Sequence, residues 1–389
     1  MAPDETLARF SHRATALGIT RLADITGLDY LGIPVFAAIR PNARSLSVHQ
    51  GKGLDVASAR ASAFMEAAEF DHAERVALPS LTFALDSVPR RAAIADPRLL
   101  PRVRAPRRDQ PIVWLEGRDL ISDRPILVPR ALVQVDFTGH PDRTFVESTS
   151  GLASGNSMEE AVLSGLFELI ERDATALWRL RPRGRKASRR IDLRTAGRGK
   201  ALSLLARLHD ADMAVAVWDL TTDIGIASFA CRIRENSRNT RSAFGAFWGA
   251  GTHLSREVAF CRAVTEAVQT RLTYISGARD DLLRRDYEEA PGASFRDLMI
   301  DMWEEHASSR SYRDVADGAT SSIAGDLEKT LGLVKGVGIA HAIAVDLTRA
   351  EIGIPVVRVI VPGLEPDEHA RGHPLGSRAR AVRRKAQAP

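Results

Sequence analysis

The chain has 389 residues, of which 44% are hydrophobic and 26% charged, and its formal net charge is +5. This is an ordinary globular composition, and the length suits two typical domains or one large one, with a core that needs no disulfide. Two cysteines, Cys231 and Cys261, show no metal-site spacing and fit a reducing compartment. The charged N-terminal residues do not resemble a signal peptide, and no apolar run approaches about 18 residues. We therefore expect a cytoplasmic protein without a membrane span.

The excess of positive charge is concentrated in two segments, residues 179–200 and 371–385. The simplest expectation for both is a solvated charged surface. The alternative is contact with an acidic peptide, a nucleotide or a partner protein. We do not expect the chain to bind nucleic acid.

The first part of the chain predicts two helices separated by extended segments. The predicted elements are a helix at Glu5–Leu17, a strand at 31–41, an extended segment at Ser45–Val48 and a helix from Val56 to about Arg75. A loop with a glycine on either side of Lys52 precedes the second helix. At about 100° per residue, Ser62, Glu66 and Glu69 share one face of that helix.

The middle of the chain predicts strands and then a long capped helix. We expect loop at 77–111, two antiparallel strands within 112–129 and a further strand at 131–137. Residues 148–174, STSGLASGNSMEEAVLSGLFELIERDA, then form a glycine-rich loop that leads into a helix. Ser157 followed by Glu160 is a capping box, so the helix should begin just after Ser157.

The polar face of this helix carries an unusual density of carboxylates. Glu160, Ser164, Glu168 and Glu171 fall on one narrow stripe, and the opposite side is apolar and should face a core. Like charges at such spacings repel one another by a few tenths of a kcal/mol per pair. A bound Mg²⁺ or another hard cation is the natural partner for such a stripe.

The last part of the chain repeats these features. The predicted elements are a helix at Gly199–His209, strands at 213–220 and 224–234, a glycine-rich loop at 244–254, a helix at Ser255–Ser276, a charged connector at 277–300, a helix at Ile323–Leu331, and strands at 338–349 and 351–362. The residues from 365 onward show no pattern and should fray. On the helix at Ser255–Ser276, Arg262, Glu266 and Gln269 share one face.

Three helices therefore each follow a glycine-containing loop and carry a Glu-x-x-Glu or Glu-x-x-Gln pair on one face. The pairs are Glu66/Glu69, Glu168/Glu171 and Glu266/Gln269. One interpretation is three ordinary surface helices with solvated glutamates. The other is that the three polar faces converge on one pocket that holds a nucleotide triphosphate through several metal ions. Glycine loops before helix N-termini favour the second interpretation, because such loops bind anions.

Common catalytic motifs are missing from the sequence. The Gly-Lys-Gly triplet is not a Walker A motif, and there is no Gly-x-Gly-x-x-Gly dinucleotide motif, nucleophile elbow, His-Glu-x-x-His or paired Cys-x-x-Cys. We assign no catalytic residue.

Four runs of residues closely resemble the YcaO superfamily. They are SVHQGKGLDVASARASAFMEAAEFDHAE, STSGLASGNSMEEAVLSGLFELIERDA, GTHLSREVAFCRAVTEAVQTRLTYISG and IPVVRVIVPGLE. The resemblance implies an α+β, YcaO-type ATP-binding fold with mixed and antiparallel sheets and three pocket-lining helices. It implies one large catalytic domain at 31–364, which an N-terminal helical extension (1–30) precedes and a flexible basic tail (365–389) follows.

The resemblance also implies a chemistry. YcaO enzymes use ATP and Mg²⁺ to phosphorylate the oxygen of a peptide backbone amide, so that an internal Cys, Ser or Thr gives an azoline and external sulfide gives a thioamide. The implied nucleotide-site residues are Lys52, Ser62, Glu66, Asn156, Arg172, Glu266, Gln269 and Arg271. The implied metal-binding residues are Glu66, Glu69, Glu160, Glu168 and Glu171.

Azoline-forming members often end in an alternating proline tail, and this sequence ends RAVRRKAQAP. It therefore looks more like the members that work with a TfuA-like partner and install a thioamide in a ribosomal precursor peptide. The family also suggests a homodimer. The alternatives are an azoline-forming cyclodehydratase, a non-catalytic member that binds a peptide or partner, and a phosphotransferase or ATPase that acts on a small molecule.

Overall fold

The computed structural model of the chain describes residues 1–139, 144–236, 245–284, 287, 310–366 and 374–387. The fold is of the α+β class, as predicted. Among the described residues, no helix is both long enough and apolar enough to cross a membrane. Much of the predicted charged connector at 277–300 lies outside the described residues.

The helices are α1 (Pro3–Phe10), α2 (Val56–Glu74), α3 (Met158–Arg179), α4 (Arg183–Ala187), α5 (Lys200–Asp210), α6 (Arg256–Ser276), α7 (Ile323–Gly336) and α8 (Ser377–Gln387). The strands of the first half are β1 (Arg21–Asp24), β2 (Val35–Ile39), β3 (Val48–Lys52), β4 (Ser80–Phe83), β5 (Ile112–Asp119), β6 (Arg124–Pro129) and β7 (Leu152–Ser154). Those of the second half are β8 (Ile191–Asp192), β9 (Met213–Asp219), β10 (Ser228–Glu235), β11 (Phe247–Thr252), β12 (Arg310–Ser311), β13 (Ile343–Asp346) and β14 (Val356–Ile360).

The strands form three main sheets. Two are three-stranded, in the orders β1-β2-β3 and β11-β10-β9, and one is six-stranded, in the order β4-β5-β13-β14-β7 with β6 also paired to β5. Pairing within these sheets is antiparallel, whereas the short β8 and β12 pair in parallel. The main sheets are therefore antiparallel, as the sequence predicts, and the parallel pair forms a separate small sheet.

The same unit of three strands and one helix occurs three times. The first unit is β1, β2, β3 and α2, the second is β9, β10, β11 and α6, and the third is β13, β14, β7 and α3. Each central strand follows a glycine with positive φ, namely Gly32 (64°), Gly225 (78°) and Gly353 (72°). Such angles favour glycine. In the third unit, two strands come from the C-terminal part of the chain, whereas the third strand and the helix come from its middle.

The three long helices begin in the same way. The side chains of Asp55, Ser157 and Ser255 each accept a hydrogen bond from the backbone N–H three residues further on, which is the geometry of an N-cap. The helix α3 begins just after Ser157, as its capping residue predicts, and α2 and α6 begin within one residue of the predicted starts. Each helix packs on the strand before it and also on a strand of another unit: α2 on β7, α3 on β11 and α6 on β3. The three units therefore close into a ring.

Glycines bring strand and helix backbones into close contact within two units. A Cβ atom on Gly51 would lie 1.9 Å from the backbone nitrogen of Ala63, and one on Gly251 would lie 2.2 Å from the carbonyl oxygen of Ala259. Any side chain at these positions would push the helix away from its strand. These glycines therefore allow α2 and α6 to pack closely against their strands.

Some predicted elements differ in the structure. Residues 131–137 do not form a strand, because Leu132, Val133 and Val135 are each buried in the core around a short turn and Val135 bonds to the carbonyl oxygen of Ala73 at the end of α2. β4 lies within the predicted loop at 77–111, and α4 lies within the basic segment at 179–200.

The two ends of the chain are more ordered than the sequence predicts. The C-terminal segment that we expected to be flexible contains α8, and Arg378 of α8 forms ion pairs with the buried Asp173 of α3 (2.9 Å) and with Asp223. The segment at 1–30 contains one α-helix, α1, and two short 3-10 turns at Ser11–Arg13 and Thr26–Leu28. Its β1 pairs with β2 across the predicted boundary at residue 30. Ion pairs at long sequence separation produce the difference at the C-terminal end, whereas backbone pairing between β1 and β2 produces the one at the N-terminal end.

Candidate functional site

A cavity of about 1320 Å³ lies between α2, α3 and α6. Its walls include all five of the predicted metal-binding residues, Glu66, Glu69, Glu160, Glu168 and Glu171. They also include six of the eight predicted nucleotide-site residues, Lys52, Ser62, Glu66, Asn156, Arg172 and Glu266. The prediction that three helices direct their polar faces into one pocket is confirmed.

Polar residues occupy equivalent positions on the three helices. Counted from the capping residue, the eleventh position holds Glu66, Glu168 and Glu266, and the fourteenth holds Glu69, Glu171 and Gln269. The seventh holds Ser62, Ser164 and Arg262. These positions lie on one face of a helix. The ring of units therefore places three copies of one side-chain pattern around a common centre.

The α2 wall carries two carboxyl groups with raised pKa values. Glu69 Oε1 accepts hydrogen bonds from the backbone nitrogen (2.8 Å) and the hydroxyl (2.7 Å) of Ser154 in the third unit. Burial raises the pKa of Glu69 to about 8, against the opposing effect of Ser154. Burial likewise raises the pKa of Glu66 to about 7, although Lys52 acts to lower it. A cation at this wall would favour the charged form of both groups.

The α3 wall carries Glu168 and Glu171. Glu168 Oε2 accepts from the backbone nitrogen of Gly151 (3.1 Å), and Oε1 lies 3.3 Å from Arg172. Glu171 is 3% exposed, and its Oε2 atom has no hydrogen-bond partner among the residues that the structure describes. Burial, together with the charge of Glu266, raises the pKa of Glu171 to about 7. A buried carboxylate oxygen without a donor is the kind of atom that a metal ion satisfies.

The start of α3 holds a second polar group. The backbone nitrogen of Asn156 donates to Glu160 Oε2 (3.1 Å), and the Asn156 side-chain nitrogen lies 3.2 Å from both oxygens of Glu160. Glu160 and Asn156 therefore form one hydrogen-bonded pair at the cavity wall.

The α6 wall is closer to neutral. Glu266 forms an ion pair with Lys52 (2.8 Å) that joins α6 to β3. Burial raises the pKa of Glu266, but Lys52 and Arg172 outweigh this effect, and the net shift is downward. The fourteenth position of this helix carries an amide instead of a carboxylate.

Two predicted nucleotide-site residues, Gln269 and Arg271, do not line the cavity. Gln269 donates to the backbone oxygen of Gln50 (2.7 Å) and so fastens α6 to β3. Arg271 is 4% exposed and pairs with Asp29 (2.8 Å) and Glu235 (2.8 Å). In the structure, both side chains connect elements of the fold.

The polar stripe of the third helix already included Arg262, but sequence reasoning missed three other cationic residues of the cavity wall, Lys200, Arg279 and Arg358. Arg358 of β14 is 3% exposed, and its Nη2 donates to the carbonyl oxygen of Ser148. Its Nε and Nη1 have no hydrogen-bond partner within the described part of the chain. Burial lowers its pKa to about 10, so the group stays charged at neutral pH. An arginine in the middle of the apolar run VVRVI was the signal that could have identified it.

The donor set fits Mg²⁺ bound together with phosphates. Within the described ranges, no three Asp, Glu, His or Cys side chains are close enough together to hold one metal ion. Mg²⁺ rarely needs such a group, because it is usually bound by one or two carboxylates together with substrate phosphates and water. Carboxylates from α2 and α3 facing one cavity, with Glu171 Oε2 unpaired, match that mode of binding.

Two proteins of other organisms are similar in sequence to nearly the whole of this chain. A protein of Methanothermobacter thermautotrophicus without an assigned function is 37% identical over 93% of this chain and 94% of its own length. A Rhizobium leguminosarum bv. trifolii protein described as lying "in tfuA 3'region" is 37% identical over 97% of this chain and 91% of its own length.

Solved structures share the fold. YcaO from Methanopyrus kandleri, bound with AMPPCP and Mg²⁺, superposes with a TM-score of 0.76 at 24% identity, covering 97% of this chain and 95% of its own. A heterocyclase in complex with substrate and cofactor gives a TM-score of 0.78 at 23% identity and covers 94% of this chain, which spans 52% of the heterocyclase chain. A family model described as "YcaO cyclodehydratase, ATP- and Mg²⁺-binding" matches residues 50–365. The chain therefore belongs to the YcaO family, and its cofactors are ATP and Mg²⁺.

Proposed function

We propose that this protein activates a backbone amide of a ribosomally made peptide by phosphorylating the amide oxygen, and that it installs a thioamide with a TfuA-like partner. The observation that carries the amide-activation step is that equivalent carboxylates on α2 and α3 line one cavity together with Lys52 and Arg262, in a protein of an ATP- and Mg²⁺-binding family. Phosphoryl transfer needs positioning and charge stabilisation more than covalent help from the protein, and this cavity offers both.

The residues divide this work by charge. Glu66, Glu69, Glu168 and Glu171 would hold Mg²⁺, while Lys52, Arg172 and Arg262 would face phosphate oxygens. MgATP supplies the phosphoryl group. Protons on the carboxyl groups with raised pKa values must leave when a metal ion binds, which couples metal affinity to pH.

The thioamide and the TfuA-like partner are the finer part of the proposal. Their support is the Rhizobium relative, which lies beside tfuA and matches 97% of this chain. In the proposed reaction, hydrosulfide adds to the amide carbon and the amide oxygen leaves as phosphate. The products are the thioamide, ADP and inorganic phosphate. A homodimer belongs to the same proposal and can be tested by sedimentation.

The description of the family as cyclodehydratases favours a second candidate. In that reaction, a Cys, Ser or Thr side chain of the peptide would attack the carbonyl, and the phosphorylated oxygen would again leave as phosphate. The product would be an azoline ring, and no external sulfide would be needed.

Mass spectrometry of the peptide distinguishes these reactions. The purified protein, its TfuA-like partner, MgATP and sulfide are incubated with a short candidate precursor peptide. A gain of about 16 Da indicates exchange of oxygen for sulfur, and a loss of about 18 Da indicates azoline formation. ATP turnover with an unchanged peptide would instead favour a small-molecule phosphotransferase.

Variants test whether the cavity performs the reaction. Glu168→Gln and Glu171→Gln should abolish most peptide-dependent phosphate release, because each removes a proposed metal ligand. Glu328→Gln is the matched control, since Glu328 is exposed on α7 and does not line the cavity. Undiminished phosphate release by the α3 variants would contradict the proposed function.

A further inference from the structure

The N-terminal helix α1 lies against the start of α3. Residues 1–49 precede the part of the chain that the family model matches. Nevertheless, Met1, Pro3 and Thr6 line the cavity. The wall of the proposed nucleotide site therefore includes a helix that the family match does not cover.

The sequence of α1 explains why a helix of only eight residues forms here. Pro3 occupies the first helical position, Asp4 and Glu5 lie in the first turn, and Glu5 Oε2 accepts from the backbone nitrogen of Ala2 (2.9 Å). Phe10 is buried in the core. These features hold α1 in place, with Thr6 buried on its inner side.

Two side chains of α1 hold Asn156. The Thr6 hydroxyl lies 3.1 Å from Asn156 Oδ1, and Arg9 donates to the backbone oxygen of Asn156 (2.9 Å). On the other side, the amide nitrogen of Asn156 faces Glu160, whose carboxylate can only accept. The amide orientation is therefore fixed, with the Asn156 oxygen toward Thr6 and the nitrogen toward Glu160.

The other two units have no such arrangement. The residue immediately before the N-cap is Leu54 in the first unit and Leu254 in the second, and both pack against hydrophobic clusters. Only the third unit has a polar residue, Asn156, at this position. A polar residue there needs partners, and α1 supplies them.

We propose that α1 is part of the nucleotide site, with Thr6 and Arg9 as positioning residues that hold Asn156 and Glu160 in the geometry that MgATP requires. This inference rests on the proposed function. When Asn156 and Glu160 are already held in place, MgATP binding does not have to order them. Removal of the Thr6 or the Arg9 contact with Asn156 therefore makes MgATP binding less favourable. The chemical step itself does not involve α1.

The test compares Thr6→Val and Arg9→Gln with Thr15→Val and Arg13→Gln. The controls make the same chemical changes in the same segment, at residues that do not bond to Asn156 as Thr6 and Arg9 do. Calorimetry with MgATP should show about fivefold weaker binding for each α1 variant, the loss expected for one hydrogen bond. In turnover, KM for ATP should rise while kcat changes little, and Thr6→Ser should restore binding.

The outcomes separate the two proposals. If the unaltered protein binds no MgATP, the proposed function fails. If it binds MgATP and a folded Thr6→Val, Arg9→Gln double variant binds equally well, α1 has no role in the site. A double variant with a lower melting temperature but an unchanged KM would make α1 a purely structural element and would also overturn the inference.

Discussion

The α3 and α6 walls of the cavity have the same backbone plan but different electrostatics. Both helices follow a capping serine and pack on the strands of their own unit. Both also carry a glutamate eleven residues after the cap. On α3 the fourteenth position is Glu171, which is buried without a partner for Oε2. On α6 it is Gln269, which bonds to β3, and Glu266 is neutralised by Lys52.

The same strand-and-helix unit can therefore carry different chemical groups at equivalent positions. Three equivalent helices give three equivalent directions into the cavity, but only α2 and α3 carry a glutamate at both the eleventh and the fourteenth position. We expect metal ions at that side and phosphate oxygens toward α6, where Arg262 and Lys52 lie. The α6 carboxylate instead holds Lys52 in place.

The largest effect on stability is expected at Arg271 on α6. Arg271→Gln leaves Asp29 without its cation in a buried setting, and we expect the free energy of unfolding to fall by about 3 kcal/mol. Chemical denaturation measures this loss. MgATP affinity, measured where the variant is still folded, decides whether Arg271 has only this structural role. A large loss of affinity there would show that α6 contributes to the nucleotide site beyond Glu266.

A second effect concerns the unpaired carboxylate of α3. Glu171→Gln gives α3 the same side chain that α6 has at this position. We expect ATP turnover to fall on the order of 10–100-fold, because a metal ligand is lost. Glu266→Gln should act mainly through KM for ATP, since it releases Lys52 from its ion pair. Equal effects on kcat from both variants would remove the distinction between the walls.

A third effect tests the shared backbone plan. Gly251→Ala places a Cβ atom 2.2 Å from the carbonyl oxygen of Ala259 in α6, and Gly51→Ala creates the same type of clash with α2. Each should lower the free energy of unfolding by about 1–3 kcal/mol. Gly27→Ala, which has no atom within 4 Å of the new Cβ, is the control. Thermal melts that show no difference from the control would mean that the helices can move away from their strands.

A further effect is a dependence of stability on pH. Burial raises the pKa values of Glu66, Glu69 and Glu171 to about 7, 8 and 7 from a usual 4.5, so the folded protein binds more protons than the unfolded chain in that interval. The free energy of unfolding without ligands should therefore fall as pH rises from about 5 to 8. Melting temperatures across this range measure the slope, and Glu69→Gln should flatten it.

Magnesium should reverse this trend. A bound metal ion favours the charged carboxylates, so the gain in melting temperature from MgATP should grow with pH and exceed the gain from ATP alone. Equal gains from ATP with and without Mg²⁺ would argue against metal binding at the α2 and α3 walls.

Much of the site could be predicted because local rules determine its parts. The caps Asp55, Ser157 and Ser255 fix where each helix begins, and helical periodicity then fixes which side chains share a face. The convergence of the three polar faces on one cavity could be predicted because the same loop-and-helix pattern occurs three times in the sequence. Gln269 was assigned to the cavity because it lies on the same stripe as Glu266, yet the structure uses it to join α6 to β3.

The features that sequence reasoning missed depend on distant partners. The apolar residues at 131–137 suggest a strand, but the backbone nitrogen of Val135 donates to the carbonyl oxygen of Ala73 at the end of α2 instead of to a neighbouring strand. The basic residues of α8 suggest a solvated tail, but Asp173, buried on α3, binds Arg378. The closure of the ring and the placement of α1 over Asn156 likewise depend on contacts that no local pattern indicates.

The discontinuous third unit has a consequence for biosynthesis. Strand β14 pairs with β7 across about two hundred residues of chain, and its Arg358 binds the loop before β7. During synthesis from the N-terminus, α2 and α3 are complete well before β14 leaves the ribosome. Until that moment, β7 lacks its neighbouring strand, and the carboxylates of α3 lack the arginine beneath them. The nascent chain should therefore acquire its ability to bind nucleotide late and in one step, when the final strand is inserted.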